Sequence, residues 1–406
     1  MTTSQFHLSK QLAFRVVTHE PQLKSAVSRL DGVDVLRGIS ILAVIFLHIL
    51  IRFSFADIHL GSDWPRLARR IVFNNGGNGV TVFFAISGFL ITLTSMRRFG
   101  SLAALRPAVF YRIRFARIMP FLLLLLAVLS ALHLAHVDGF RINEQFFTLP
   151  RALLSALTFH LNWLEASRNA WLPACWTVLW SLSIEEMFYL FFPLACILLL
   201  RRGRYGTALW LGLAFVLVAL GPPSRTAWAH TDLWQENSYL AGMASIALGC
   251  LTAWVTSNVM RRGKTPAGAA WTAQIAGIAL IMLIEIWPRW PLMKMLGRTG
   301  LDDTLLALSA CLIIFSTTIR GIRGSHFTAP LRWFGRHSYE VYLSHEFVVI
   351  AGVELFAHHY PHGASRPVIA AFVFGIVALT APLGWALANF FSEPMNRKLR
   401  GAAPAK

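Results

Sequence analysis

Charge is scarce in this chain: Asp, Glu, Lys and Arg make up 14% of its 406 residues, whereas 56% are hydrophobic. A soluble globule carries about a quarter charged residues, so the polar surface is too small to clothe this chain and lipid must cover much of it. Acidic residues are the scarcer sign, 19 against 37 Lys and Arg, for a net charge of +18. The basic residues sit in short clusters between apolar runs rather than along one solvated face. This argues against a nucleic-acid-binding surface and for a topology signal. Cysteine is rare too. Cys175, Cys196, Cys250 and Cys311 form no close pair and mostly lie inside apolar runs, so neither a disulfide framework nor a zinc site is indicated, and no metal or bound cofactor is expected. The first 35 residues carry Lys10, Arg15, Lys24 and Arg29 without an apolar core before a small-residue cleavage site. No removable signal peptide is therefore expected.

What is present is a series of apolar runs, at residues 36–56, 80–96, 118–137, 176–200, 206–220, 238–259, 270–287, 303–319, 338–356 and 366–391. Each is close to the roughly 17 to 25 residues that a hydrocarbon layer of about 30 Å requires. The pattern predicts an all-α polytopic membrane protein of about ten transmembrane helices. A cytoplasmic N-terminus puts 25 of the 37 Lys and Arg on the inside, about two to one over the inverse orientation, so both termini are expected in the cytoplasm. The semi-apolar stretch 150–165 would reverse every later loop if it crossed, and its amphipathic spacing suits an interfacial helix instead. The expected organisation is a cytoplasmic segment 1–35, one membrane domain over 36–396 and a basic cytoplasmic tail 397–406. No repeat, low-complexity segment or appended soluble domain is seen.

An ionisable side chain inside hydrocarbon is costly, so each one begins as a candidate site. In the first run Arg37 and His48 are 11 residues apart, a separation that returns them to the same helix face to within about 20°. In the fourth run Ser181 and Glu185 share a face at i and i+4, with Glu186 turned away by about 100°. Measured along their helices, His48 and Glu185 lie at depths of about 18 and 14 Å from opposite faces, which is nearly the same level in a 30 Å slab. A histidine can take a proton from an attacking hydroxyl, and a neighbouring carboxylate can fix its tautomer, which are the parts of acyl transfer. A plain hydrogen bond between helices would also account for the pair. Arg112, Arg114 and Arg117 precede the third run, with Arg114 and Arg117 at i and i+3, a fork suited to phosphate as well as to topology.

These residues fall in a wider set of motifs: LDGVDVLRGISILAVIFLHI near the start, GVTVFFAISGFLIT, RFARIMP, WSLSIEEMFYLFFP, FGRHSYEVYLSH and a late SEP. In that order they resemble the integral-membrane acyltransferase 3 family, whose members acylate exported polysaccharides, lipids and some antibiotics. The resemblance implies about ten spans, a cytoplasmic acyl-CoA donor as co-substrate and acceptors often presented at the outer face. It also implies that Arg37, Arg114 and Arg117 bind the donor and that His48, Ser181 and Glu185 belong to the catalytic site. One departure stands out. The family pattern YLWHWP reads YLSHEF here, which keeps His345, a candidate second site residue, and replaces the next aromatic and proline by Glu346 and Phe347.

The expected function is transfer of an acetyl or other short acyl group from acyl-CoA to a hydroxyl of a sugar- or lipid-linked acceptor, such as an exported polysaccharide or glycolipid, at a bacterial inner membrane. In that reading His48 serves as base or acyl carrier, Glu185 orients it and Ser181 hydrogen-bonds the acid. Two alternatives stay open. The same fold could acylate a soluble glycoside or macrolide inside the cell. A proton-coupled transporter would also use intramembrane His and Glu, although no inverted repeat supports one.

Overall fold

Lipid offers the backbone no hydrogen-bond partners, so a chain built of long apolar runs has to satisfy its amides within each run, as helix. The computed structural model describes residues 30–58, 60, 64–263, 267–286, 290–361 and 363–401, and among them it contains helices and no strand. Among the described residues, ten helices are long and apolar enough to cross a membrane. They are α1 Asp31–Phe55, α2 Gly76–Phe99, α3 Pro107–Leu134, α4 Leu179–Leu200 and α5 Gly203–Arg225. The second half comprises α6 Tyr239–Arg262, α7 Ala267–Ile286, α8 Leu301–Ile319, α9 Ser338–His359 and α10 Arg366–Leu387. Residues 1–29 of the expected N-terminal segment and 402–406 of the expected tail lie outside the described residues.

Helices extend past the apolar runs where good helix formers continue them. The largest difference is α3, which begins at Pro107 rather than near residue 118, with proline in the first turn where its missing N–H costs nothing. Arg112, Arg114 and Arg117 are therefore on a formed helix, with fixed relative directions. The stretch 150–165 becomes two short helices, Leu149–Leu157 and Leu161–Arg168. At 1.5 Å per residue these span about 14 and 12 Å, so neither can cross.

The second of these short helices is tied down by a buried acid. Glu165 is fully buried, accepts from the Leu172 amide at 2.9 Å and from Asn237 Nδ2 at 3.2 Å. Burial pushes its carboxyl well above the usual carboxylate range, against the opposing pull of those hydrogen bonds.

With lipid as solvent there is little hydrophobic drive between helices, and close backbone approach through small residues takes its place. Helix α2 is the most enclosed span, with 78% of its apolar window buried. It meets α6 glycine to backbone: a Cβ on Gly88 would stand 1.8 Å from the Ile246 carbonyl oxygen, and one on Gly249 2.0 Å from that of Ala85. A second such contact joins α1 to the short helix Ala329–Arg336, where a Cβ on Gly38 would stand 2.0 Å from the Leu331 carbonyl oxygen. This contact seats the start of α9 against α1, and both sets of candidate site residues depend on it.

Candidate active site

Seven arginines from five segments converge on one cavity of about 610 Å³, inside the roughly 300–1,000 Å³ range of ligand sites. Arg37 of α1, Arg97 and Arg98 of α2, Arg114 and Arg117 of α3, Arg336 and Arg400 line it, against three acids, Asp34, Glu185 and Glu186. Arg400 arrives because α10 runs on through a π-helical segment, Ala388–Ser392, into the helix Glu393–Arg400. Such insertions are frequent at functional sites because they re-aim the helix beyond them. Arg112 is exposed and does not line the cavity.

Each predicted donor-binding arginine is held. Arg37 donates from Nη2 to the Ser338 hydroxyl at 2.8 Å. The Arg114 guanidinium lies 3.9 Å from the Tyr189 ring centre, within cation–π range. Arg117 stands 5.6 Å from the Tyr339 ring centre and its Nη1 is 3.7 Å from Glu393. These contacts hold the guanidinium groups at the cavity wall.

Deeper in, Glu185 accepts from the Ser87 hydroxyl at 2.5 Å and from the Tyr189 hydroxyl. The expectation that Glu186 turns away from this space is corrected. Both acids line the cavity, and one buried Glu186 oxygen has no hydrogen-bond partner. The 100° between successive residues does separate them, but the cavity wraps a broader arc of α4, from Ser181 and Leu182 to Tyr189. Ser181 is also relocated. Its hydroxyl meets the Tyr342 hydroxyl at 2.7 Å and donates to the Val178 carbonyl at 3.2 Å, rather than reaching the acid one turn on.

His48 has neighbours other than the expected ones. It is not among the residues lining the cavity, and its imidazole is bound by α9 instead of α4. His48 Nδ1 lies 3.2 Å from His345 Nε2 and 2.9 Å from the Val44 carbonyl oxygen, and His48 Nε2 lies 3.5 Å from Glu346 Oε1. The pairing of His48 with Glu185 is thus corrected to a pairing with Glu346. Depth along two helices fixes a common level, but not the direction in which each side chain points. The shared face of Arg37 and His48 is visible all the same, since both contact α9, at Ser338 and at His345.

Tyr342 stands between the two regions. It lines the cavity beside Phe83, with ring centres 6.2 Å apart, and its ring centre is 6.1 Å from that of His345. His345 is 1% exposed and its Nδ1 is 2.8 Å from the Tyr342 carbonyl oxygen. That bond requires a proton on Nδ1, which leaves Nε2 of a neutral His345 as acceptor. His48 then donates from Nδ1, shared with the Val44 carbonyl, and keeps the lone pair on Nε2. His48, His345 and Glu346 also bring three ligand-type atoms within 4.8 Å of one another. Of these groups, His345 Nε2 is engaged by His48 Nδ1, and Glu346 Oε2 by the Arg52 guanidinium at 3.2 Å.

Glu346, Arg52, Tyr342 and Ser87 were not singled out from the sequence as site residues. A signal existed for the first two: a His-Glu pair inside an apolar run, and an arginine one helical turn beyond His48.

A bundle of membrane-length helices with an arginine-lined cavity beside a half-buried and a buried histidine fits the class to which comparison with known proteins also points. Residues 30–387 match a family described as "Acyltransferase domain", and the chain belongs to that family. It is 25% identical over 395 residues to SACOL0978 of Staphylococcus aureus strain COL, which carries an O-acetyltransferase name. It is 24% identical over 394 residues to the O-acetyltransferase OatA of S. aureus strain NCTC 8325. Both matches take in 91% of this chain and 58% and 57% of the relatives, so the chain spans a little over half the length of the relatives it matches. No solved structure matches.

Proposed function

We propose that this protein is a multi-pass membrane O-acyltransferase that moves an acetyl or other short acyl group from acyl-CoA to a hydroxyl of a sugar-containing acceptor. The observation that carries the reading is the convergence of seven arginines on one cavity that Tyr342 also lines, next to the His345–His48 pair. Coenzyme A bears three phosphates, and guanidinium groups bind phosphoryl oxygens through paired hydrogen bonds. Arg114 and Arg117, with Arg97, Arg98, Arg336 and Arg400, would take the phosphates, and the pantetheine arm would run past Arg37. Its arginine-rich end faces the cytoplasm, where acyl-CoA is made, and the membrane is the bacterial plasma membrane. The printed names of the staphylococcal relatives favour acetyl as the group moved.

In the reaction a change of Tyr342 rotamer joins the cavity to His48. His48 Nε2 takes the proton from the acceptor hydroxyl as its oxygen attacks the thioester carbonyl. The tetrahedral adduct collapses with cleavage of the carbon–sulfur bond, and the imidazolium returns the proton to the departing thiolate. Acylated acceptor and free coenzyme A result. His345 and the Val44 carbonyl keep the proton on His48 Nδ1, so that Nε2 is the basic nitrogen. Glu185, held by Ser87 and Tyr189, and Ser181, which holds Tyr342, shape the thioester end of the cavity. A trapped acyl-imidazole on His48 would replace direct transfer by a two-step route through the same nitrogen.

The test is purified protein in phospholipid vesicles supplied with acetyl-CoA. Saturable coenzyme A binding that weakens with salt, and saturable release of free thiol on adding a hydroxyl acceptor, are expected. Absence of both binding and release with acetyl-CoA and with longer acyl-CoA would overturn the reading.

A further inference from the structure

Glu346 takes no part in the bond-making steps of the proposed acyl transfer, yet it is 2% exposed and each of its oxygens faces a nitrogen. Oε2 accepts from Arg52 Nε at 3.2 Å. Oε1 faces His48 Nε2 at 3.5 Å. A carboxylate buried among apolar helices needs a compensating cation: Arg52, one helical turn beyond His48, supplies it while His48 is neutral, and a His48 imidazolium would supply it in place of Arg52.

The 3.5 Å gap has a chemical meaning. The hydrogen-bond chain from the Tyr342 carbonyl through His345 to His48 places the His48 proton on Nδ1. Nε2 and the Glu346 carboxylate are then both acceptors, with no proton to share, and they stand just beyond hydrogen-bond length. Once Nε2 takes the acceptor's proton, the same two atoms can close to the roughly 2.7–2.9 Å of a charge-assisted bond. The interaction is therefore weak before proton transfer and strong after it, which is the condition for lowering a barrier rather than only binding substrate.

We propose that Glu346, clamped by Arg52, is a positioning residue that stabilises the His48 imidazolium formed during acyl transfer. This inference rests on His48 being the base. Two consecutive residues of α9 thus clasp one imidazole, His345 at Nδ1 and Glu346 at Nε2. Arg52 also borders a second cavity of about 180 Å³ with Phe55, Gly139, Ile350 and Glu354, at the opposite end of α1 from the Arg37 cavity. The clamp therefore lies between His48 and that end of the protein.

The charged and titratable groups facing His48 are Arg52 on its own helix and Tyr342, His345 and Glu346 on α9. Cys175, from the 3-10 helix Ala174–Trp176, interacts electrostatically with Glu346 and Arg52. Of these, Glu346 and Arg52 carry full charge of opposite sign, so removing each alone moves the His48 titration in opposite directions. Loss of the carboxylate makes the imidazolium less stable, and loss of the guanidinium makes it more stable.

Diethyl pyrocarbonate reacts with neutral imidazole, so its rate at His48, read by mass spectrometry as a function of pH, reports that titration without any acceptor. The wild type, Glu346→Gln and Arg52→Gln are compared in vesicles. The midpoint is expected to move down by about one pH unit or more in Glu346→Gln and up in Arg52→Gln. Acetyl-CoA turnover is expected to fall about tenfold or more in Glu346→Gln, the rate equivalent of one pH unit of lost imidazolium stability. Should Glu346→Gln fail to fold, the upward shift in Arg52→Gln alone decides. Coincident midpoints in all three proteins, with His48→Ala inactive, would overturn the role of Glu346 and leave the acyl-transfer reading standing. Wild-type turnover in a folded His48→Ala would overturn that reading and this one with it.

Discussion

His345 Nε2 lies 3.2 Å from His48 Nδ1, and its own Nδ1 is 2.8 Å from the Tyr342 carbonyl oxygen. The backbone carbonyl therefore dictates the tautomer of one histidine, and that histidine together with the Val44 carbonyl, 2.9 Å from His48 Nδ1, dictates the tautomer of the other. A carboxylate usually plays this part, but a neutral imidazole serves because its accepting nitrogen is fixed by the carbonyl behind it.

His345→Ala should lower kcat by about 100-fold, the lower end of what a positioned acid–base group contributes, with little change in KM for acetyl-CoA. His345→Gln, whose side-chain oxygen can accept from His48 Nδ1, should recover part of that loss. Steady-state release of coenzyme A from acetyl-CoA reads both. Equal activity of His345→Ala and wild type would remove His345 from the site.

Arg114 and Arg117 are held by aromatic rings and by Glu393, not by hydrogen-bond partners that use up their forks. Replacing either by Ala should raise the Kd for coenzyme A by about tenfold, the loss expected for a hydrogen bond to a charged group. Arg114→Lys keeps the charge but loses the paired geometry and should fall between. Calorimetry at two salt concentrations checks this, because wild-type affinity should drop with salt more steeply than that of either variant.

Gly88 and Gly249 let α2 and α6 touch backbone to backbone, with Cβ positions 1.8 and 2.0 Å from carbonyl oxygens. A methyl group at either site has to push the helices apart. Gly88→Ala should destabilise by about 1–3 kcal/mol or more, as overpacking of a close contact does. Thermal unfolding in detergent measures it. An Ala substitution at Gly77, where a Cβ would meet nothing within 4 Å, is the matched control.

The sequence made the ten spans legible because a hydrocarbon layer imposes length and apolarity on each crossing independently of its neighbours. It also made Arg37, Arg114, Arg117, Ser181 and Glu185 legible as residues of one region, and all five line the cavity. Partnerships were less accessible. His48 and Glu185 sit at similar calculated depths, but Glu185 turns to Ser87 and Tyr189 and His48 to α9. Rotation about a helix axis is set by packing such as that of Gly38 against Leu331, which no single run of sequence records. Arg52 stands one turn beyond His48 in the sequence, but its partner is seen only when Glu346 is placed beside it.

Glu165 gives a pH prediction outside the spans. Burial raises its carboxyl well above the ordinary range, so the folded chain binds a proton that the unfolded chain releases. Its contribution is then fully present below the unfolded value of about 4.3 and is lost as pH rises through the folded value. Glu165→Gln, which stays neutral, should flatten this part of the stability profile and be the more stable protein at pH 8. Unfolding midpoints of the two proteins from pH 4 to 9 test it, and parallel profiles would contradict it.

The most direct test of the account is release of coenzyme A from acetyl-CoA by vesicle-reconstituted wild type and His48→Ala, at equal folded amounts and with coenzyme A binding measured on the same samples. Binding is expected to survive in the variant, because His48 is not among the residues lining the arginine cavity, while release collapses. Equal release from both proteins would contradict it.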